Sequence, residues 1–301
     1  MKYFVMSDIH IDFFVVKQSK DYNDVVKYYE SFYDQCMEPA DAVLIAGDIA
    51  NDYYNQVNFL KFLTTKYEQV YTVFGNHDFG VGHTFGNGNP TKYSEERLDL
   101  VCREFLNDPH VHILSTPELV NGIGGTMGMC DFSYLPSISN KEWAINRWQH
   151  WYDGKAWHTK KSAWRTAYMV NPVAILDWQS DILMKIVEQQ PRIILTHFIP
   201  VQAGIAREYE NDACTTYFYF DGKEYFEKLD HETWWFCGHV HNKFLADYVN
   251  SKGVTIHIAA LPSGYPEEAK CTPQYAMVSR WENGRIVDYN PNGEFSRIYE
   301  I

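Results

Sequence analysis

The chain has 301 residues, a length that suits about two domains or one large α/β domain. Apolar residues make up 46% of it and charged residues 22%, a globular composition that excludes a disordered chain, a collagen-like repeat and a coiled coil. The 26 Lys and Arg against 39 Asp and Glu give a net charge of −13, which argues against a general nucleic-acid-coating protein but not against a small anionic substrate held by bound metal.

Strand and helix patterns alternate in the first half. The pattern predicts strands over Lys2–Met6, Ala42–Ala46 and Val70–Phe74, with helices over Asp24–Met37 and Gln56–Tyr67. A polar cluster follows each of these strands directly. Open α/β sheets place their sites at the carboxyl ends of strands, so we expect one shared site there.

The rest of the chain continues as an α/β protein. We predict helices over Ser94–Leu106, Val173–Glu188 and Lys223–Leu229, and strands over Gly124–Cys130, Arg192–Leu195 and Thr233–Cys237. Near the C-terminus, strands over Tyr275–Arg280 and Arg285–Tyr289 flank Asn283-Gly284, which is a strong hairpin signal.

Five polar clusters at predicted strand ends carry the chemistry of the sequence. They are Asp8-x-His10, Gly47-Asp48, Gly75-Asn76-His77-Asp78, Thr196-His197 and Gly238-His239-Val240-His241. They offer carboxylate, imidazole and amide ligands without a thiolate, a set that suits Mn, Fe or Zn. Seven candidate ligands are too many for one tetrahedral ion with an open position and suit two ions that share a carboxylate. Each motif alone is weak, and the inference depends on all five in this order.

This motif series resembles the calcineurin-like metallophosphoesterase superfamily over about residues 1–265. The resemblance implies a four-layer α/β/β/α sandwich of two mixed sheets with a dinuclear site between them. We expect a single domain over residues 1–301, with a Trp-rich helical insert over 131–171 as a candidate cap.

The resemblance also implies a role for each motif residue. Asp8, His10 and His241 would hold the first of two divalent ions (Mn, Fe or Zn), Asp48 would bridge, and Asn76, His197 and His239 would hold the second. A metal-bridging hydroxide would attack phosphorus, and His77 would protonate the leaving oxygen.

One position departs from the pattern of the superfamily. Many of its phosphatases carry Gly-Asp-x-x-Asp, whose second Asp orients the catalytic histidine, but this chain has Asn51 there. We expect Asp78 or Asp52 to take over that role, and Asp78 is therefore a candidate catalytic residue. The Arg-Gly with which the protein-phosphatase branch continues this Gly-Asp-x-x-Asp motif is also absent, which argues against a phosphoprotein substrate.

The insert mixes tryptophans with basic residues. Trp143, Trp148, Trp151, Trp157 and Trp164 alternate with Arg147, Lys160, Lys161 and Arg165. As a cap, the indoles would stack on a base and the cations would bind phosphate. In the alternative, the indoles pack onto the sandwich and the charges are solvated.

The sequence thus predicts a dinuclear phosphoesterase for a small phosphodiester or nucleotide-type substrate. A phosphomonoesterase, a protein phosphatase and a non-catalytic scaffold that retains the fold are the alternatives. The chain has no apolar run of membrane-spanning length and no signal-peptide pattern, and its six cysteines are scattered without a CxxC pair. We therefore expect a cytoplasmic protein with no membrane or bulk duplex nucleic-acid partner. The oligomeric state is left open.

Overall fold

The computed structural model describes residues 1–15, 19–82, 88–135, 139–159, 170–206 and 209–266, together with the backbone of three short C-terminal strands. The strands are β1 (Tyr3–Met6), β2 (Ala42–Ile45), β3 (Gln69–Thr72), β4 (Val111–Ile113), β5 (Ile123–Gly125), β6 (Ile193–Leu195), β7 (Thr233–Cys237), β8 (Phe244–Val249), β9 (Thr255–Ala260), β10 (Ser279–Glu282), β11 (Arg285–Asp288) and β12 (Tyr299–Glu300). The α-helices are α1 (Tyr22–Cys36), α2 (Tyr53–Leu63), α3 (Asn76–Phe79), α4 (Ser94–Glu104), α5 (Lys141–Trp148), α6 (Tyr152–Ala156), α7 (Pro172–Val187) and α8 (Lys223–Phe226).

The strands form two mixed sheets. The first has the order β12-β11-β10-β1-β2-β3-β4, in which β1 to β4 are parallel and β10 runs antiparallel to β1. The second has the order β5-β6-β7-β9-β8, in which only β8 is antiparallel. This arrangement confirms the predicted pair of mixed sheets.

The two sheets pack face to face, with helices on their outer faces. On β2, Ala42 and Leu44 join the core between the sheets, whereas Val43 and Ile45 pack with the helices. β7 alternates in the same way, because Trp234 faces the other sheet. Strand side chains alternate between faces, so a sheet buried on both sides needs the continuous apolar runs that the sequence carries. The result is the expected four-layer sandwich.

Capping side chains set the helix starts. Asp21 accepts a hydrogen bond from the amide of Asn23 at the start of α1, and Asn171 caps α7, which has Pro172 in its first turn. The predicted start of α2 at Gln56 is wrong, because Asp52 accepts from the amide of Asn55 and starts the helix at Tyr53.

Other boundaries also differ from the prediction. The predicted strand Gly124–Cys130 ends at Gly125, and Gly128 has a φ of 74°, which is incompatible with a continuing strand. β10 and β11 pair antiparallel as the hairpin signal predicts. The turn itself, Asn283-Gly284, lies outside the described residues.

Within the described ranges, no helix combines the length and apolarity needed to cross a bilayer. The described cysteines, Cys36, Cys102, Cys130, Cys214 and Cys237, are free thiols, as their scattered spacing predicts. Cys271 lies outside the described residues.

Candidate metal centre

The carboxyl ends of five strands converge on one buried cluster. Asp8 and His10 follow β1, Asp48 follows β2, Asn76 starts α3 after β3, His197 follows β6, and His239 and His241 follow β7. Parallel strands bring their carboxyl ends to the same edge, and face-to-face packing joins the edges of the two sheets. The structure therefore brings together all seven ligands predicted from the sequence.

The first group of side chains is Asp8, His10 and His241. The Nε2 atoms of His10 and His241 lie 3.2 Å apart, and Asp8 Oδ1 lies 3.5 Å from His241 Nε2. Ser7 Oγ donates to Asp8 Oδ2 at 2.6 Å, and the backbone amide of His239 donates to both oxygens of Asp8. These bonds hold the Asp8 carboxylate with its charge facing the two imidazoles.

The second group is built from Asn76, His197, His239 and Asp48. His197 Nε2 lies 2.8 Å from Asn76 Oδ1 and 3.3 Å from Asp48 Oδ2. His197 Nδ1 lies 2.9 Å from the carbonyl oxygen of Ala46, which assigns the proton to Nδ1 and leaves Nε2 as a ligand. One donor atom each from Asp48, His197 and His239 lies within 4.8 Å of the others.

Asp48 Oδ2 belongs to both groups. It lies 3.3 Å from His197 Nε2 and 3.8 Å from His10 Nε2. The other oxygen, Oδ1, accepts from the amide of His77, whereas Oδ2 is buried with no hydrogen-bond partner among the described residues. An unpaired buried carboxylate oxygen costs several kcal/mol unless a cation compensates it, so these residues fit divalent metal ions.

The electrostatics of the cluster favour metal binding. Burial lowers the pKa of His10 and of His239 well below the ordinary range, so both imidazoles are neutral. Burial opposes the charge of Asp48, but His197 and His77 hold the pKa of Asp48 well below its usual value. Burial also lowers the pKa of His197, but the Asp48 carboxylate raises it to about 9 without metal, so His197 would release a proton when an ion binds. Neutral imidazoles and an ionised carboxylate are the forms that bind metal.

The ligand loops have an unusual backbone. Asp8, His10, Asp48, His239 and His241 have φ values of 52°, 46°, 57°, 71° and 47°. A left-handed conformation costs a residue other than glycine roughly 1–2 kcal/mol. Such strain persists only where the surrounding structure holds it, and it concentrates at functional sites.

The glycines of the motifs allow the close approach that the sequence predicts. A Cβ atom on Gly75 would lie 2.5 Å from the amide nitrogen of Asp48, and one on Gly238 would lie 2.7 Å from Asp8 Oδ2. Any side chain at either position would push the ligand loops apart.

His77 is held by Asn51, not by the residues proposed to replace it. Asn51 Oδ1 lies 2.7 Å from His77 Nδ1. Asp78 instead accepts from the amides of Ile49, Ala50 and Gly75, and Asp52 caps α2. The expectation that Asp78 or Asp52 orients His77 is therefore wrong, because both carboxylates are committed to backbone amides.

A cavity of about 730 Å³ opens over the cluster. Its aromatic lining residues are Phe13, His77, Trp151, Tyr152, Tyr209, Phe218, His239, His241 and Tyr265. The Phe218 ring lies 4.5 Å from the ring of His239, and Tyr265 stacks on His10 at 4.4 Å. An aromatic ring thus lies beside each of the two groups of candidate ligands.

The described part of the insert divides its tryptophans among three environments. Trp148 and Trp157 are fully buried, Trp143 is 42% exposed, and Trp151 lines the cavity. For Trp148 and Trp157 the packing interpretation is confirmed. Lys160, Lys161, Trp164 and Arg165 lie outside the described residues.

Sequence reasoning missed three residues beside the cluster. Asp12 hydrogen-bonds Asn51, Asp153 Oδ1 accepts from Asn76 Nδ2 at 2.8 Å, and Tyr265 covers His10. Only Asp12 could have been found from the local sequence, because it continues the series of polar residues at every second position that Asp8 and His10 begin. Asp153 comes from α6, 77 residues beyond its partner, and only the fold brings the two together.

Comparisons with known proteins agree with this geometry. A family model described as calcineurin-like phosphoesterase matches residues 1–243. No curated protein sequence matches the chain. Among solved structures, the phosphopantetheinyl hydrolase of Mycobacterium tuberculosis is similar, with a TM-score of 0.64 and 16% identity over 94% of this chain and 96% of that one. At this identity the likeness shows a shared fold.

Proposed function

Since the chain belongs to the calcineurin-like phosphoesterase family and is therefore a metal-dependent phosphoesterase, we propose that it binds two divalent ions and hydrolyses a small phosphodiester or nucleotide-type substrate. The single observation that carries the dinuclear proposal is the position of Asp48 Oδ2. This unpaired oxygen lies between His10 Nε2 at 3.8 Å and His197 Nε2 at 3.3 Å. A carboxylate shared between two groups of ligands is the arrangement that a two-metal site needs.

The residues of each group would hold one ion. Asp8, His10 and His241 would hold the first, and Asn76, His197 and His239 the second, with Asp48 shared. Bound there, the ions would neutralise charge on phosphoryl oxygens and make a water molecule acidic enough to be a nucleophile near neutral pH. Mn, Fe and Zn all suit this donor set.

His77 is the protein group proposed to assist departure of the leaving group. Its Nε2 lies 4.0 Å from Asp48 Oδ2, on the side of the ring that faces the cluster, and its Nδ1 is bound to Asn51. Protonated at both nitrogens, an imidazole that donates from Nδ1 can give its Nε2 proton to an ester oxygen as the bond to phosphorus breaks, which leaves the neutral Nδ1–H form.

The cavity supports a small substrate with a flat or apolar group. Its volume of about 730 Å³ is in the range of small-molecule sites. Trp151 and Phe218 lie 5.8 Å apart on one side, and Phe13 and Tyr265 lie 5.0 Å apart on the other. Stacking of a base on an aromatic ring contributes about 1–3 kcal/mol, which favours a nucleotide-type ester.

A paired rate assay tests the proposal. With added manganese, hydrolysis of bis(para-nitrophenyl) phosphate is compared with that of para-nitrophenyl phosphate, using Asp48→Asn as the blank. We expect faster turnover of the diester. A faster monoester reaction would favour a phosphomonoesterase, and no turnover above the blank with any of several metals would favour a non-catalytic scaffold. Linear and cyclic nucleotide diesters, and a phosphopantetheine ester of the kind named for the neighbouring structure, would then be tried as natural substrates.

A further inference from the structure

The side chain of Asn51 lies between a carboxylate and the imidazole of His77. Asn51 Nδ2 donates to Asp12 Oδ2 at 2.9 Å, and Asn51 Oδ1 lies 2.7 Å from His77 Nδ1. The backbone of Asn51 is also fixed, because its amide donates to Asp12 Oδ1 at 3.2 Å and its carbonyl accepts from Arg97 at 2.7 Å. These hydrogen bonds together fix the position of the Asn51 side chain.

The carboxylate of Asp12 decides which way the amide of Asn51 faces. Both oxygens of Asp12 accept hydrogen bonds from Asn51, so the NH₂ group of Asn51 faces Asp12 and its carbonyl oxygen faces His77. Tyr152 provides a second restraint, since its hydroxyl donates to Asn51 Oδ1 at 2.9 Å. An oxygen that faces His77 can only accept, and the proton between them therefore belongs to Nδ1.

The imidazole ring is restrained from its face as well as from its edge. The ring of Tyr152 stacks on that of His77 with 4.4 Å between centroids and 26° between planes. With Nδ1 bound and the ring covered, Nε2 is left facing the cluster, 4.0 Å from Asp48 Oδ2.

We propose that Asp12, acting through Asn51, is the positioning residue that keeps one proton on His77 Nδ1, so that Nε2, directed at the reacting ester, is the nitrogen that takes up and gives away the transferred proton. The role of His77 in this statement rests on the proposed function. Asp12 places a negative charge one amide away from the imidazole, in a chain that has an amide at position 51. Tyr152 supports the same orientation from α6.

The test exchanges the carboxylate at position 12 and the amide at position 51. In Asp12→Asn the group at position 12 can both donate and accept, so the amide of Asn51 loses its fixed orientation. In the double variant Asp12→Asn/Asn51→Asp, the amide at position 12 donates to the carboxylate at position 51, whose other oxygen accepts from His77. We expect the single variant to lower kcat about 10- to 100-fold for an alkyl ester with a poor leaving group, and by less than about threefold for the para-nitrophenyl ester, whose leaving group needs no proton. We expect the double variant to recover most of the loss.

Two further readouts separate positioning from a structural effect. NMR of the imidazole nitrogens in the zinc-loaded protein should find His77 as Nδ1–H in the wild type and in the double variant, and as a tautomer mixture in Asp12→Asn. Asp212→Asn is the matched control, because it removes a carboxylate from the lining of the same cavity, and Asp212 accepts its hydrogen bond from the amide of Cys214. This control variant should change kcat by the same factor for esters with good and with poor leaving groups.

Three results would overturn the proposal: an Nε2–H tautomer in the wild type, an equal loss for both leaving groups in Asp12→Asn, or no recovery in the double variant. If the wild-type protein hydrolyses no phosphate ester at all, the proposed function fails. The tautomer measurements then still decide whether Asp12 fixes the imidazole.

Discussion

At the scale of the residue, Asp48 is the side chain that both proposed groups of metal ligands share. In Asp48→Asn a neutral amide would replace the shared carboxylate beside His10 and His197. We expect loss of both ions and a fall in turnover of at least about 100-fold, because a shared ligand is removed. Elemental analysis of the purified variant measures the first effect and the diester assay the second. Asp34→Asn, on the exposed face of α1, is the control. Near-normal metal content and rate would contradict the assignment.

His77 gives a different expected pattern, because it contacts the cluster without completing either proposed ligand group. We expect His77→Ala to keep its metal content and to lose turnover by about 100-fold or more for poor leaving groups, the usual contribution of a general acid. Activated aryl esters should lose much less. A plot of log kcat against the pKa of the leaving group checks this, since the slope should steepen in the variant. An unchanged slope would argue against proton donation by His77.

At the scale of the element, α6 connects the insert to the metal centre. Asp153 Oδ1 accepts from Asn76 Nδ2, Trp157 Nε1 donates to the carbonyl of Asn76 at 2.9 Å, and Tyr152 stacks on His77. This five-residue helix thus holds two residues of the site from outside the sheets. The described part of the insert therefore contributes to the architecture of the site.

Asp153→Ala tests this contribution. Without its acceptor, the side-chain amide of Asn76 can turn its NH₂ group towards His197. We therefore expect the affinity for the proposed ion held by Asn76, His197 and His239 to fall about 10- to 100-fold. Affinity for the ion held by Asp8, His10 and His241 should change little. Calorimetric titration of the metal-free protein with Mn²⁺ measures the affinity of both proposed binding events. Lys155→Ala, on the exposed side of α6, is the matched control and should bind as the wild type does. Equal weakening of both events would contradict this assignment of Asp153.

The elements also show what the sequence could and could not predict. Buried strands such as β2 and β7 are largely apolar runs, and the motifs that follow the strands contain all seven candidate ligands that the structure brings together. The hydrogen bonds around them were not predictable, because Asp78 and Asp52 are the same type of residue and only their hydrogen bonds to backbone amides keep them from His77. The start of α2 and the end of β5 depended on a cap and on a turn that local patterns do not resolve.

At the scale of the whole molecule, the metal centre joins the two sheets. Asp8, His10, Asp48 and Asn76 follow strands of the first sheet, and His197, His239 and His241 follow strands of the second. Ions bound between them would link the halves of the sandwich. Their binding free energy would then contribute to folding stability.

Metal removal measures this link. Binding at about 100 times the dissociation constant contributes about 2.7 kcal/mol, so chelation should lower the melting temperature by about 5 °C or more. Differential scanning calorimetry with and without a chelator gives the shift. Asp48→Asn serves as the control, since its melting temperature should not respond to added metal. Equal melting temperatures of the chelated and loaded wild-type protein would contradict the link.

The left-handed backbone of five proposed ligands has a consequence for how such a protein changes over generations. At each of these positions glycine would relieve about 1 kcal/mol relative to another small residue, so metal-free His241→Gly should unfold with a higher free energy than metal-free His241→Ala. In a lineage released from selection for turnover, a change of His241 to glycine would therefore relieve backbone strain. Selection for catalysis would then be what keeps a strained histidine at this position.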